Sequence, residues 1–139
     1  MIFTFDLHGV CDKEPGLFID IIRQLKINNH VVGILTGEEI TPTLTSQIKK
    51  LGLHVDLLLS IVSYHKSIGT KIEYINNDPS QPKIKDDIWD QTKAQICSIV
   101  GVNVHVDDSN IYEIYFKRTN TEYIHYSEST RELLSCICK

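Results

Sequence analysis

The stretch that decides the fold is the first one, Met1-Ile2-Phe3-Thr4-Phe5-Asp6-Leu7-His8-Gly9-Val10. Ile2, Phe3, Thr4 and Phe5 are β-branched or aromatic and read as a buried strand. Asp6 ends the run, and Gly9 follows. Open α/β sheets place their chemistry outside the carboxyl ends of their strands, where this carboxylate would stand. An Asp that only caps a turn is the commoner use of the residue. Three later stretches shift the balance.

Working outward, Cys11 to Gly16 is a turn-rich bridge, with Pro15 near a helix start. Leu17, Phe18, Ile21, Ile22 and Leu25 recur at helical spacing and predict an amphipathic helix over 16–27. Val31 to Leu35 reads as a second buried strand, ending in Thr36-Gly37. Thr41-Pro42 opens a second helix that runs to about Leu51 and is closed by Gly52. Val55 to Val62 reads as a third strand. Residues 63–89 break the rhythm and read as an excursion over one edge of the sheet. Asp90 caps a helix expected over 91–100, ended by Gly101. Val102 to Val106 reads as a fourth strand, ending in Asp107-Asp108-Ser109. Ile111 to Phe116 reads as a helical turn, Glu122 to Tyr126 as a fifth strand, and Ser129 to Cys138 as a terminal helix. Strands alternating with helices predict one Rossmann-like α/β domain over 1–139. Its sheet is mainly parallel, of about five strands flanked by helices, with no large cap domain.

In such a sheet Asp6, Thr36, Asp107 and Asp108 all come to the same edge. Carboxylates gathered there repel one another unless a divalent cation sits among them. All-oxygen ligands select a hard ion, with Mg²⁺ the first choice. A nearby hydroxyl and a lysine would complete a phosphate site, since phosphoryl transfer mainly needs positioning and charge neutralisation.

These residues resemble the haloacid dehalogenase-like superfamily of phosphohydrolases. The resemblance lies in Asp6-Leu7-His8-Gly9-Val10 after the first strand, Ile34-Leu35-Thr36-Gly37 at the second, a lysine near a helix, and Val106-Asp107-Asp108-Ser109. It spans residues 1–116 or so. It implies that Asp6 is the nucleophile and that Thr36 and Gly37 hold the phosphoryl group. Lys93 would offset charge, with Lys83 and Lys85 as fallbacks. Asp6, the His8 backbone carbonyl, Asp107 and Asp108 would hold Mg²⁺. His8 is the departure, because the superfamily's phosphatases usually carry a second Asp there. Imidazole ionises near neutrality and is able to do the same acid–base work. The implied activity is a Mg²⁺-dependent phosphomonoesterase, nucleotidase-like in one version. The alternative is a catalytically weak or inactive protein that binds phosphate or a nucleotide.

The remaining signals are weaker. Tyr64, His65 and Lys66 either reach the substrate from the excursion or lie on a solvated loop. Trp89 either stacks a ring or packs a hinge. Glu38 and Glu39 rim the site or simply favour a helix start. His105 reads as a packed sheet histidine, and His30 and His54 as surface residues. The net charge of −4, with 42% hydrophobic and 23% charged residues, describes an ordinary globular chain without a strong nucleic-acid signal. No run reaches the ~18 apolar residues of a membrane span. Cys11, Cys97, Cys136 and Cys138 make no zinc spacing and read as reduced thiols, which places the chain in the cytoplasm. The expected partner is a small phosphorylated substrate or a phosphorylated macromolecule end. A homo-oligomer is left open.

Overall fold

The computed structural model describes residues 1–136. Five strands form one parallel sheet: β1 (Ile2–Phe5), β2 (Val31–Thr36), β3 (Leu57–Ser60), β6 (Val104–Asp107) and β7 (Glu122–His125). Their order across the sheet is β3-β2-β1-β6-β7. From β1 the chain builds outward to β2 and β3. It then crosses to the other side of β1 and builds β6 and β7. That reversal leaves a crevice at the carboxyl ends of β1 and β6, the place where open α/β sheets bind ligands.

Helices cover both faces, so the fold is a Rossmann-like α/β sandwich. On one face Phe5, Val32, Ile34 and Val106 pack with Phe18, Ile21, Ile22 and Leu25 of α1 (Pro15–Ile27). Leu44 and Ile48 of α2 (Pro42–Lys50) and Leu134 of α6 (Glu128–Ser135) close the same layer. On the other face Leu35 packs with Ala94, Ile96 and Cys97 of α4 (Asp86–Val100) and Phe116 of α5 (Glu113–Phe116). Local chemistry sets the helix ends. Thr41 Oγ1 accepts from the Leu44 N–H at 3.1 Å, and Pro15 stands where a missing N–H costs nothing. Asp86 and Asp87 occupy the positive end of α4, and Gly101 ends it in the left-handed region at φ +82°.

Two segments depart from the sequence reading. The expected strand 55–62 shortens to β3, and α3 (Ile61–Ser67) follows at once. Ser60 Oγ accepts from the Ser63 N–H at 3.1 Å and starts the helix. Ile61, Val62 and His65 fill its buried face. A short apolar run fits strand and helix alike, and the cap decides between them. The expected excursion 63–89 therefore narrows to 68–85. It holds a small antiparallel pair, β4 (Glu73–Tyr74) and β5 (Pro82–Lys83). Helix α4 starts at Asp86, earlier than the cap expected at Asp90, and takes Trp89 into its first turns. The expected end of the last helix at Cys138 lies outside the described residues.

Candidate active site

Asp6 follows β1, Asp107 ends β6, and the two strands are neighbours. Lys93 reaches both from the buried face of α4. Its Nζ donates to Asp6 Oδ1 at 2.9 Å and to Asp107 Oδ2 at 2.7 Å. All three side chains are buried or nearly so. Burial of Lys93 works against its charge, but the two carboxylates outweigh it and hold the ammonium protonated. Burial pushes the Asp6 carboxyl upward, Lys93 pulls it back, and Asp107 and Asp108 push it up again. Asp107 goes the other way. Burial acts against its charge, yet the His105 and Lys93 N–H groups keep its carboxyl well below the usual range.

His105 is fully buried, as a packed sheet histidine should be. It also touches the site. Its Nε2 lies 2.9 Å from Asp107 Oδ2, and its Nδ1 lies 2.8 Å from Thr4 Oγ1. A carboxylate only accepts, so Nε2 carries the proton and donates. Burial lowers the imidazole pKa and keeps the ring neutral, so Nδ1 accepts from the Thr4 hydroxyl. The Ser109 N–H donates to Asp107 Oδ1 at 3.1 Å. Both oxygens of Asp107 are thus engaged. Among the described residues, no hydrogen bond reaches Asp6 Oδ2 or the Asp108 carboxylate.

The turn after Asp6 closes the front of the site. Gly9 has φ +85°, and a Cβ built there would overlap Asp108 Oδ2. Only glycine lets this turn sit against the end of β6. His8 lies half exposed on the same turn. Its Nδ1 is 3.0 Å from Asp12 Oδ2 and its Nε2 2.9 Å from Glu38 Oε2. The bonds to Glu38 and Asp12 raise its pKa, against a smaller lowering by burial. Two acceptor carboxylates, one on each nitrogen, favour the imidazolium form.

Thr36 ends β2 fully buried, with its Oγ1 accepting from the Glu38 N–H at 3.3 Å. Beside it, Gly37 lies against the indole of Trp89. A Cβ on Gly37 would come within 2.7 Å of Trp89 Cζ2. Trp89 Nε1 donates to Tyr112 Oη at 2.9 Å, and Lys93 Nζ lies 5.3 Å from the centre of the Tyr112 ring.

A cavity of about 650 Å³ opens over this edge. It brings together Asp6, His8, Thr36, Gly37, Lys93, Asp107 and Asp108 from the sequence reading. Glu38, Glu39 and Trp89 line it too, and Pro79 to Pro82 of the excursion form part of the wall. His65 and Lys66, expected to contact the substrate, do not line this cavity. His65 is buried between α3 and α4, its ring nitrogens 2.8 Å from Thr70 Oγ1 and 2.7 Å from Thr92 Oγ1. Lys66 lies outside the wall and pairs with Glu39 at 2.5 Å. Lys83 and Lys85 are exposed and do not line the cavity, which leaves Lys93 as the lysine of this cluster. Sequence reasoning missed the contacts of His105 and Tyr112 with the cluster. The i, i+2 spacing of His105 and Asp107 puts both on one face of a strand and was the available signal for the first. Tyr112 had none.

Oxygen atoms of Asp6, Asp107 and Asp108 all lie within 4.8 Å of one another. Three carboxylates against one ammonium leave excess negative charge, and the donor set suits a hard divalent cation.

No family model matches this chain, and no curated protein sequence matches it. A crystal structure of an uncharacterized protein from Corynebacterium glutamicum is similar in fold, with a TM-score of 0.61 at 14% identity. The likeness covers 98% of this chain and 91% of that one.

Proposed function

We propose that this chain is a haloacid dehalogenase-like phosphohydrolase that cleaves phosphomonoesters through an aspartyl-phosphate on Asp6. The observation that carries the reading is the buried Asp6–Lys93–Asp107 cluster at the head of a cavity that Thr36 and Gly37 also line. Phosphoryl transfer asks for a nucleophile, a fixed positive charge and hydrogen-bond donors at one point. Asp6 supplies the nucleophilic oxygen. Lys93 holds that carboxylate in place and offsets the charge of the incoming phosphate. The Thr36 hydroxyl and the backbone beside Gly37 are the donors for phosphoryl oxygens. A magnesium ion held by Asp6, Asp108, Asp107 and the His8 carbonyl would supply the further positive charge that three carboxylates and a phosphate require.

In the first step an Asp6 oxygen bonds to phosphorus, and the bond from phosphorus to the ester oxygen breaks. The departing alkoxide takes a proton from the His8 imidazolium. Water then attacks the same phosphorus and gives a proton to the neutral His8. The Asp6–phosphorus bond breaks, and inorganic phosphate leaves. The pairing of His8 with Asp12 and Glu38 suits the first proton transfer, because it favours the charged ring. The same pairing supports a second reading. A ring held by two carboxylates on the turn must let go of one to reach the ester, which fits a slow enzyme or a phosphate-binding protein.

The test is a panel of phosphomonoesters with Mg²⁺, on the wild type and on Asp6→Asn. Turnover by the wild type, lost in Asp6→Asn, is expected. Equal turnover by both would remove Asp6 as the nucleophile. Saturable phosphate binding without turnover would leave the second reading.

A further inference from the structure

The wall beyond the phosphoryl end of the cavity has a definite chemistry. Trp89 and Tyr112 supply aromatic surface, and Pro79 and Pro82 supply apolar surface from the excursion. The indole is held on two sides. Its N–H is bonded to Tyr112 Oη, and its ring edge rests on the bare backbone of Gly37, next to Thr36. An aromatic surface fixed beside a phosphate site meets whatever group the phosphate is attached to. The charges of the wall narrow that group. Among the described residues, Lys93 is the one lysine in the wall and no arginine lines it, and the Lys93 ammonium is engaged by Asp6 and Asp107. His8 lies between Asp12 and Glu38. Glu38 and Glu39 add acidic groups, each already paired with a cation, Glu38 with His8 and Glu39 with Lys66. Among the described residues of the wall, a second phosphate or a carboxylate on the substrate would meet acids and no cation that is not already paired. Hydroxyls would find acceptors there.

We infer that the substrate carries a single phosphate on an otherwise uncharged, ring-bearing alcohol, a nucleoside or a sugar, whose ring packs on Trp89. This rests on the phosphomonoesterase reading of the site, but its test does not need turnover. A volume of about 650 Å³ is ample for one ring with its phosphate. Carboxylates on the wall serve the ring's hydroxyl groups and repel nucleoside di- and triphosphates.

Trp89 is the chain's single tryptophan, so its emission reports directly on the proposed contact. Asp6→Asn protein in millimolar Mg²⁺ is titrated with adenosine monophosphate, glucose phosphate, glycerol phosphate and adenosine diphosphate. At least one ring monophosphate is expected to change the emission and to bind about tenfold more tightly than glycerol phosphate, the size of one good aromatic contact. The adenosine and glucose arms separate a base from a sugar. Adenosine diphosphate is expected to bind at least tenfold more weakly than the monophosphate. Calorimetry on Trp89→Phe and Trp89→Leu follows, with Phe keeping the ring preference and Leu losing it. Equal affinity for ring and acyclic esters, or a diphosphate that binds as well as the monophosphate, overturns the inference. So does a Trp89→Leu loss that is equal for all four compounds, since that marks a packing role. If the ranking holds while the wild type turns nothing over, the phosphohydrolase reading fails and the ring preference stands as that of a binding site. If turnover is brisk and indifferent to the ring, this one fails alone.

Discussion

Replacing Lys93 with Met keeps the apolar stem and removes the one charge shared by Asp6 and Asp107. Lys93 and Asp107 are 3% and 1% exposed at the side chain, and Asp6 11%. Breaking a buried pair from one side costs about 3–5 kcal/mol, because the partner charge stays behind unpaired. Here two carboxylates stay behind, although His105 and Ser109 still hold Asp107. The expected loss is therefore about 3–5 kcal/mol at alkaline pH, where both carboxylates are ionised. At a urea slope of ~2 kcal/mol per molar, the unfolding midpoint falls by about 2 M. Trp89 emission can follow the transition, since it is the chain's single tryptophan. The pH dependence gives a second check. Asp6 binds its proton more tightly folded than unfolded even beside Lys93, its pKa raised to about 7 by burial, and loss of the lysine raises it further. The penalty is then full above its folded pKa and is relieved as pH falls below it. Neutralising the stranded carboxylates by Asp6→Asn and Asp107→Asn in the same chain should recover most of the loss. A Lys93→Met midpoint within experimental error of wild type would refute the view that this ammonium holds two buried carboxylates.

Three further outcomes are expected. His8→Ala should lower turnover by roughly 10²- to 10⁴-fold, the range for a general acid–base group, while His8→Asp keeps activity; steady-state kinetics that match wild type would remove His8 from the chemistry. His65→Leu should cost about 1–2 kcal/mol, since it removes the ring's hydrogen bonds to half-buried Thr70 and to buried Thr92, whose hydroxyl keeps only its bond to the Ile88 carbonyl. Burial holds the His65 pKa below 6.5, so its contribution is full above pH 6.5 and declines as pH falls toward the folded pKa; denaturation of wild type and variant at several pH values should show the gap narrowing in acid. Gly37→Val should displace the Trp89 indole, which lies 2.7 Å from where a Cβ would be; a shifted emission maximum and a loss of about 1–3 kcal/mol are expected, and an unchanged spectrum would mean the loop gives way instead.

How far the sequence could be read follows from what each feature depends on. Asp6, Thr36 and Asp107 stood at the ends of apolar runs, and a parallel sheet puts all such ends together whatever its strand order. The strand order itself came only with the structure, because nothing local says on which side of β1 the fourth long strand will pair. The strand assigned to 55–62 failed at Ser60, where a side-chain cap turned an apolar run into α3. That one misreading carried His65 and Lys66 with it. Read as a loop, they were free to face a substrate; on a helix, His65 turns inward to α4. The meeting of Trp89 with Gly37, and of Gly9 with Asp108, is long-range packing that no spacing records.

The placement of charge explains why the cluster holds together as it does. Asp107 is the most enclosed of the three acids, and Lys93, His105 and the Ser109 N–H all serve it. Asp6 shares the lysine but keeps one oxygen clear. Asp108 is exposed and rests on the bare backbone of Gly9. Counter-charge is thus fixed where water is scarce and left open where water is near. A carboxylate buried as deeply as Asp107 could not depend on an exchangeable ion, since each loss of the ion would leave an unpaired charge in a poorly solvated place. A covalently attached ammonium removes that dependence, so the sheet can fold with its most buried acid already compensated. The oxygens that stay unbonded, on Asp6 and Asp108, border the same cavity. On the proposed function, an exchangeable cation and a phosphate would bind at these oxygens and leave the Lys93–Asp107 pair in place.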